Sequence, residues 1–167
     1  MSPESAQTSL NVAKPQAKDR PQKLFCGHCG RSPADNGSET PSRVCANCGM
    51  GLMLQAPADV APSADDPFVV VDSSLTICAV SRVAEKLLGV SETDAIHRHV
   101  GEFLVPADAE APTTENLSAL VAWAARGESP SSSVVVRPSN TFGVRYWARV
   151  GPCGPPQAAL LVLADAR

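Results

Sequence analysis

The chain has 167 residues, enough for one ordinary domain plus a small module. Hydrophobic residues make up 44% and charged residues 19%, so a globular core is expected, and the net charge of −3 argues against a general nucleic-acid or anionic-membrane binder. No apolar run reaches the roughly 20 residues that a membrane helix needs, and the polar N-terminus lacks the apolar core of a signal peptide. A cytoplasmic location is therefore expected. The six cysteines then read as metal ligands and free thiols rather than a disulfide framework.

Residues 1–23 are rich in Ser, Gln, Ala, Pro and Lys and read as a disordered tail. Its positive bias, from Lys14, Lys18, Arg20 and Lys23, leaves a weak contact with nucleic acid or an acidic partner open. Residues 24–54 carry two matched motifs, Cys26-x-x-Cys29 and, after fifteen residues, Cys45-x-x-Cys48. Each pair is followed directly by glycine, at Gly30 and Gly49. A Cys-x-x-Cys turn brings two thiolates to one ion while backbone amides point at the sulfurs, and the glycine relaxes the turn that follows. Two such turns joined by a hairpin complete a tetrahedral four-sulfur site. The pattern resembles a zinc ribbon, with Cys26, Cys29, Cys45 and Cys48 as ligands of one structural Zn2+. Four thiolates can also hold iron, and a redox Cys-x-x-Cys would stand alone near a βαβ pattern. His28, inside the first turn, is expected to be exposed and non-ligating. The loop from Pro33 to Pro41 balances Arg31 and Arg43 against Asp35 and Glu39, which favours protein contact or a structural role over nucleic-acid binding.

Residues 55–66 are dominated by Ala, Pro, Asp and Ser and read as a semi-extended linker. Phe68 to Val71 is a buried strand, Asp72-Ser73-Ser74 a turn, and Leu75 to Val80 a second strand. Ser81 offers an N-cap to a helix whose apolar face is Val83, Ala84, Leu87 and Leu88, with Gly89 at its C-terminus. Cys78 is expected to be a small buried hydrophobe. His97 and His99 read as a helix end and loop. Residues 115–126 form the longest helix, with Leu117, Leu120, Val121 and Ala124 as its core face and Trp123 as packing. Three strands close the chain: Ser133–Arg137, Gly143–Val150 and Ala158–Ala164. In the second, Val144, Tyr146, Ala148 and Val150 face one way and Arg145, Trp147 and Arg149 the other. The Arg/Trp side reads equally as a partner contact or a solvated face. Cys153 is expected to be exposed in a Pro/Gly-rich hairpin loop.

The run Ser81-x-Val83-Ala84-x-x-Leu87-Leu88-Gly89 after a strand pair resembles the opening of a PAS domain. Ser91–Asp94, the segment Val100–Asp108 and Asp165 at the end of the last strand extend the likeness across residues 67–167. Ser81 stands where that family usually has Asn, and His97 where Gly is common. The resemblance implies an α+β fold: a small zinc ribbon linked to a PAS-like antiparallel five-stranded sheet with helices on one face. It also implies a sensor or interaction domain that takes an unidentified small ligand, a partner, or a second copy through the outer sheet face. The long helix lacks the His of haem-binding members, and no Asn-Cys-Arg motif of flavin-binding members is present. The expected function is a non-enzymatic regulatory or signalling protein. The alternative is a transcription-associated regulator whose ribbon touches nucleic acid or the transcription machinery. No phosphate-binding Gly loop, nucleophile motif or paired carboxylate set points to an enzyme.

Overall fold

The computed structural model describes residues 20–33, 42–107, 116–128 and 130–165. The expected tail lies outside these residues up to position 19, as does the ribbon loop from position 34 to 41. Two sheets are present. β1 (Gln22–Cys26) and β2 (Met53–Pro57) pair antiparallel, with Cys26 opposite Met53. The larger sheet is antiparallel throughout, in the order β4-β3-β8-β7-β6-β5. Its strands are β3 (Phe68–Val71), β4 (Ile77–Val80), β5 (Leu104–Pro106), β6 (Ser132–Pro138), β7 (Tyr146–Cys153) and β8 (Ala158–Asp165). The five expected strands are all there, and the three-residue β5 adds an edge. The helices are α1 (Arg82–Leu88), α2 (Glu92–Ala95) and α3 (Leu117–Ala125). Among the described residues no helix is long and apolar enough to cross a membrane.

Local chemistry explains the elements. Asp72 Oδ1 accepts the amides of Ser74 and Thr76 and closes the turn between β3 and β4. Ser81 caps α1 by accepting from the Ala84 amide, and Gly89 ends it in the left-handed conformation. His99, in the loop where it was expected, accepts from the Gly101 amide and starts a 3-10 turn at Val100.

Alternation along the strands separates two cores. Val69, Val71, Leu161 and Leu163 face inward with Ile77, Val80, Val136, Ala148 and Val150, and meet Ala84, Leu88, Leu117, Val121 and Ala124 of the helices. Phe68, Val70, Leu160 and Val162 face outward and are also buried, under Phe25, Leu54, Ala56, Val60 and Ala61. The ribbon thus lies on the outer face of the larger sheet. Phe25 and Phe68 meet edge to face, with centroids 5.6 Å apart. Gln55 and Gly154 exchange two backbone hydrogen bonds.

This arrangement corrects several expectations. Gln55–Pro57 completes β2, and Val60 and Ala61 are buried, so the stretch read as a linker fills the outer core. Cys153 is buried because β7 runs on past Gly151 under the ribbon, and burial pushes its thiol up to about 12. Gly151 makes room there: a Cβ on it would come within 2.7 Å of Val60 Cγ2. Cys78 is exposed, not buried. The pairing shifts between Val70–Ala79 and Val71–Ile77, so Cys78 is the extra residue of a bulge and both Ile77 and Val80 point inward. Trp123 is 46% exposed, while Leu117, Leu120, Val121 and Ala124 of the same helix are buried as expected.

Ser81 tests the junction. Its buried hydroxyl accepts from two amides, those of Ala84 and Phe68. Ser81→Ala removes a cap and strands a buried N–H, so the expected loss is about 2–4 kcal/mol. Ser91→Ala, at the exposed cap of α2, should cost no more than about 1 kcal/mol. Urea unfolding of the two variants reads the difference, and equal midpoints would contradict it.

Candidate metal centre

The two Cys-x-x-Cys motifs form matched turns. The Gly30 amide donates to the Cys26 carbonyl at 3.0 Å, and the Gly49 amide donates to the Cys45 carbonyl at 2.8 Å. Both glycines have positive φ, +71° and +67°, where an L side chain is strained by roughly 1–2 kcal/mol. The first turn leaves the end of β1. The second lies between Val44 and Leu52, which pair as an isolated bridge just before β2. The β1–β2 pairing therefore brings the turns together.

The four sulfurs lie within 4.8 Å of one another. Cys26 and Cys48 Sγ are 3.6 Å apart, and Cys29 and Cys45 Sγ 3.8 Å. A tetrahedral ion with metal–sulfur bonds of about 2.3 Å sets its ligands roughly 3.8 Å apart. The cluster fits such an ion. The amides of His28 and Cys29 point at Cys26 Sγ, both at 3.4 Å, and the Gly51 amide points at Cys48 Sγ at 3.5 Å. Asn47 Nδ2 lies 3.7 Å from Cys29 Sγ. Such donors favour the thiolate form that a metal requires.

The thiols differ in the absence of an ion. Burial raises Cys26 to about 12, against the pull of the Cys29 and His28 amides. At Cys48 burial also acts upward, but the Gly51 and Met50 amides and the neighbouring Cys26 and Cys45 thiols bring it down to about 6.

His28 departs from its expected place. It is buried, and its Nδ1 lies 3.3 Å from Glu92 Oε2, without the angle of a directed hydrogen bond. Its carbonyl accepts the Arg82 amide at 3.0 Å, at the start of α1. Glu92 Oε1 in turn accepts the Val80 amide at 3.0 Å. The first turn is thus hydrogen-bonded to the start of α1 and lies against the start of α2. Nothing in the local sequence marks His28 for this role, because every partner is more than fifty residues away.

The remaining sequence candidates scatter. His97 and His99 are exposed and join no metal cluster among the described residues. Cys78 and Cys153 lie outside the four-sulfur set. The outer sheet face beyond the ribbon presents Trp147, 47% exposed, with exposed Arg145, while the Arg137 guanidinium stacks over the ring of exposed Phe142. Arg149, on the same face, is turned to the Asp59 carbonyl and Asp66 carboxylate. The tip of the ribbon exposes Val44, Met50 and Leu52.

A family model described as the PAS fold matches residues 54–140. Solved structures similar to the chain include a PAS domain from Colwellia psychrerythraea, at 21% identity and a TM-score of 0.45, covering 60% of this chain and 85% of that one. A PAS domain from Desulfitobacterium hafniense is similar at 12% identity and a TM-score of 0.44, covering 60% and 92%. The PAS domain of nitrogen regulation protein NR(II) from Vibrio parahaemolyticus is similar at 16% and 0.38, covering 60% and 88%. Likeness at this level carries no inference about ligand or partner. No curated protein matches the chain.

Gly51 separates the centre from its scaffold. A Cβ there would lie 2.3 Å from Cys26 Sγ, whereas one on Gly49 meets nothing within 4 Å. Gly51→Ala is expected to weaken metal binding by about 10–100-fold. Gly49→Ala should cost only the backbone strain of about 1–2 kcal/mol and leave the ion in place. Competition against a chromogenic chelator measures both, and unchanged affinity in Gly51→Ala would contradict the assignment.

Proposed function

This chain belongs to the PAS fold family, and on that premise we propose that it is a non-enzymatic regulatory protein in which a zinc-stabilised ribbon and a PAS-like domain act as one unit. Cys26, Cys29, Cys45 and Cys48 are the ligands, and the ion is one structural Zn2+. The observation that carries this reading is the closed set of four sulfurs at tetrahedral spacing. Four protein ligands leave no position for an activated water, so the ion serves folding rather than catalysis. A ribbon of about thirty residues buries too little apolar surface to hold itself, and the ion supplies the difference.

PAS domains typically sense small ligands or mediate protein contacts, and a signalling role follows from the family. For this chain the protein-contact reading has the stronger support. Trp147 stands half-exposed beside Arg145 on an open part of the sheet, with Arg137 and Phe142 at one side. Aromatic and arginine side chains are the usual anchors of protein interfaces. The cationic character suits an acidic partner. The exposed ribbon tip is apolar at Val44, Met50 and Leu52, which favours protein over nucleic acid there too. A cytoplasmic setting, where thiols stay reduced, agrees with a four-thiolate site.

Native mass spectrometry of the purified full chain tests the reading. One zinc per chain is expected, lost together with ribbon structure in Cys45→Ser. A visible charge-transfer band from bound iron, or a chain that carries no metal, would overturn it.

A further inference from the structure

The ribbon covers ground that the larger sheet cannot leave bare. Phe68 and Val70 of β3 and Leu160 and Val162 of β8 are all at most 3% exposed, although they point away from the helices. What covers them is Phe25 of β1, Leu54 and Ala56 of β2, and Val60 and Ala61 of the turn that follows. The cover is fastened at several points. They include the Phe25–Phe68 contact, the Gln55–Gly154 backbone bridge, the His28 carbonyl on the Arg82 amide with the His28 ring beside Glu92, and Asp59, which accepts from Ser131 and Arg149. The Phe25 and His28 contacts are set by the first cysteine turn, since Phe25 directly precedes Cys26 and His28 lies between Cys26 and Cys29. A lone two-stranded hairpin is marginal in water, so without the ion these two residues lose what positions them. Among the described residues the inner core contains none from the ribbon, so it can outlast the ribbon.

We infer that the four-cysteine centre is a latch: with metal bound the ribbon caps the outer face, and with metal removed the cap lifts and the strip formed by Phe68, Val70, Leu160 and Val162 pairs with the same strip of a second copy. This rests on the reading of the four cysteines as a metal site. A second copy is the fitting occupant because the strip is uncharged, so a two-fold pairing sets no like charges opposite each other. At its rim Arg149 and Asp66, 3.8 Å apart, carry both signs of charge, which a two-fold axis can exchange between copies.

The experiment compares the full chain, under a thiol reductant, before and after metal removal with a chelator. Metal content, oligomeric state by sedimentation, and amide exchange are read on the same samples. A metal-loaded monomer should become a dimer on stripping. Exchange should rise at least tenfold in β1 and β2 and stay slow in α3 and β7, and zinc should restore the monomer. Phe25→Ala gives an independent reading, because it lifts the cap while the ligands remain, and it should dimerise with metal still bound. If the metal leaves and the stripped chain stays monomeric, or unfolds as a whole, the latch is wrong while the metal site stands. If the starting chain carries no metal, both fall.

Discussion

The burial of β3 and β8 on both faces constrains everything else in this structure. An antiparallel sheet backed by helices normally keeps one face wet. Here the outward residues are Phe68, Val70, Leu160 and Val162, and each would lose about 1.5–3 kcal/mol of transfer free energy if left in water. The sheet therefore needs a cover. The largest side chain of the ribbon, Phe25, is in turn buried against Phe68 and shares one apolar cluster with the outward residues of the sheet. Each part supplies the surface that the other is missing.

That mutual need changes the meaning of the metal. In a free-standing ribbon the ion would hold together a few turns. In this chain an ion held by the four cysteines would also fix Phe25 and His28, which meet the sheet and the start of α1. Glycine placement follows the same logic. Gly151 lets Val60 press onto β7, and Gly51 lets the second turn close on Cys26. Both are tertiary requirements, distinct from the positive-φ glycines that end the turns.

Much of this was legible, and the failures share one cause. The cluster of four cysteines, the Ser81 cap, the core face of α3 and the alternation of β7 are written in local spacing, and local geometry realises them. The runs FVVV and ALLVLA were read as strands, but their lack of alternation was itself a sign that both faces are buried. What covers the second face could not be read. Val60 and Ala61 sit in an Ala/Pro/Asp stretch whose composition is that of a spacer, and their burial comes from Gly151 and the outer strand faces far along the chain. Cys153 and His28 were misplaced for the same reason, since distant elements bury them. Cys78 failed differently: one extra residue in β4 reversed the alternation, and a bulge leaves no mark in a run of small and apolar residues.

The bonds of His28 also decide how the two halves can communicate. Its carbonyl holds the first amide of α1, and its ring faces the Glu92 carboxylate that holds the end of β4. These are the elements that close one side of the inner core. Any event that displaces α1 must strain the hydrogen bond from Arg82 to His28, and the strain falls on the turn that carries Cys26 and Cys29. Coupling free energies are reciprocal. A ligand that moved the helices would therefore change the affinity for the ion by the same factor by which the ion changes the affinity for that ligand.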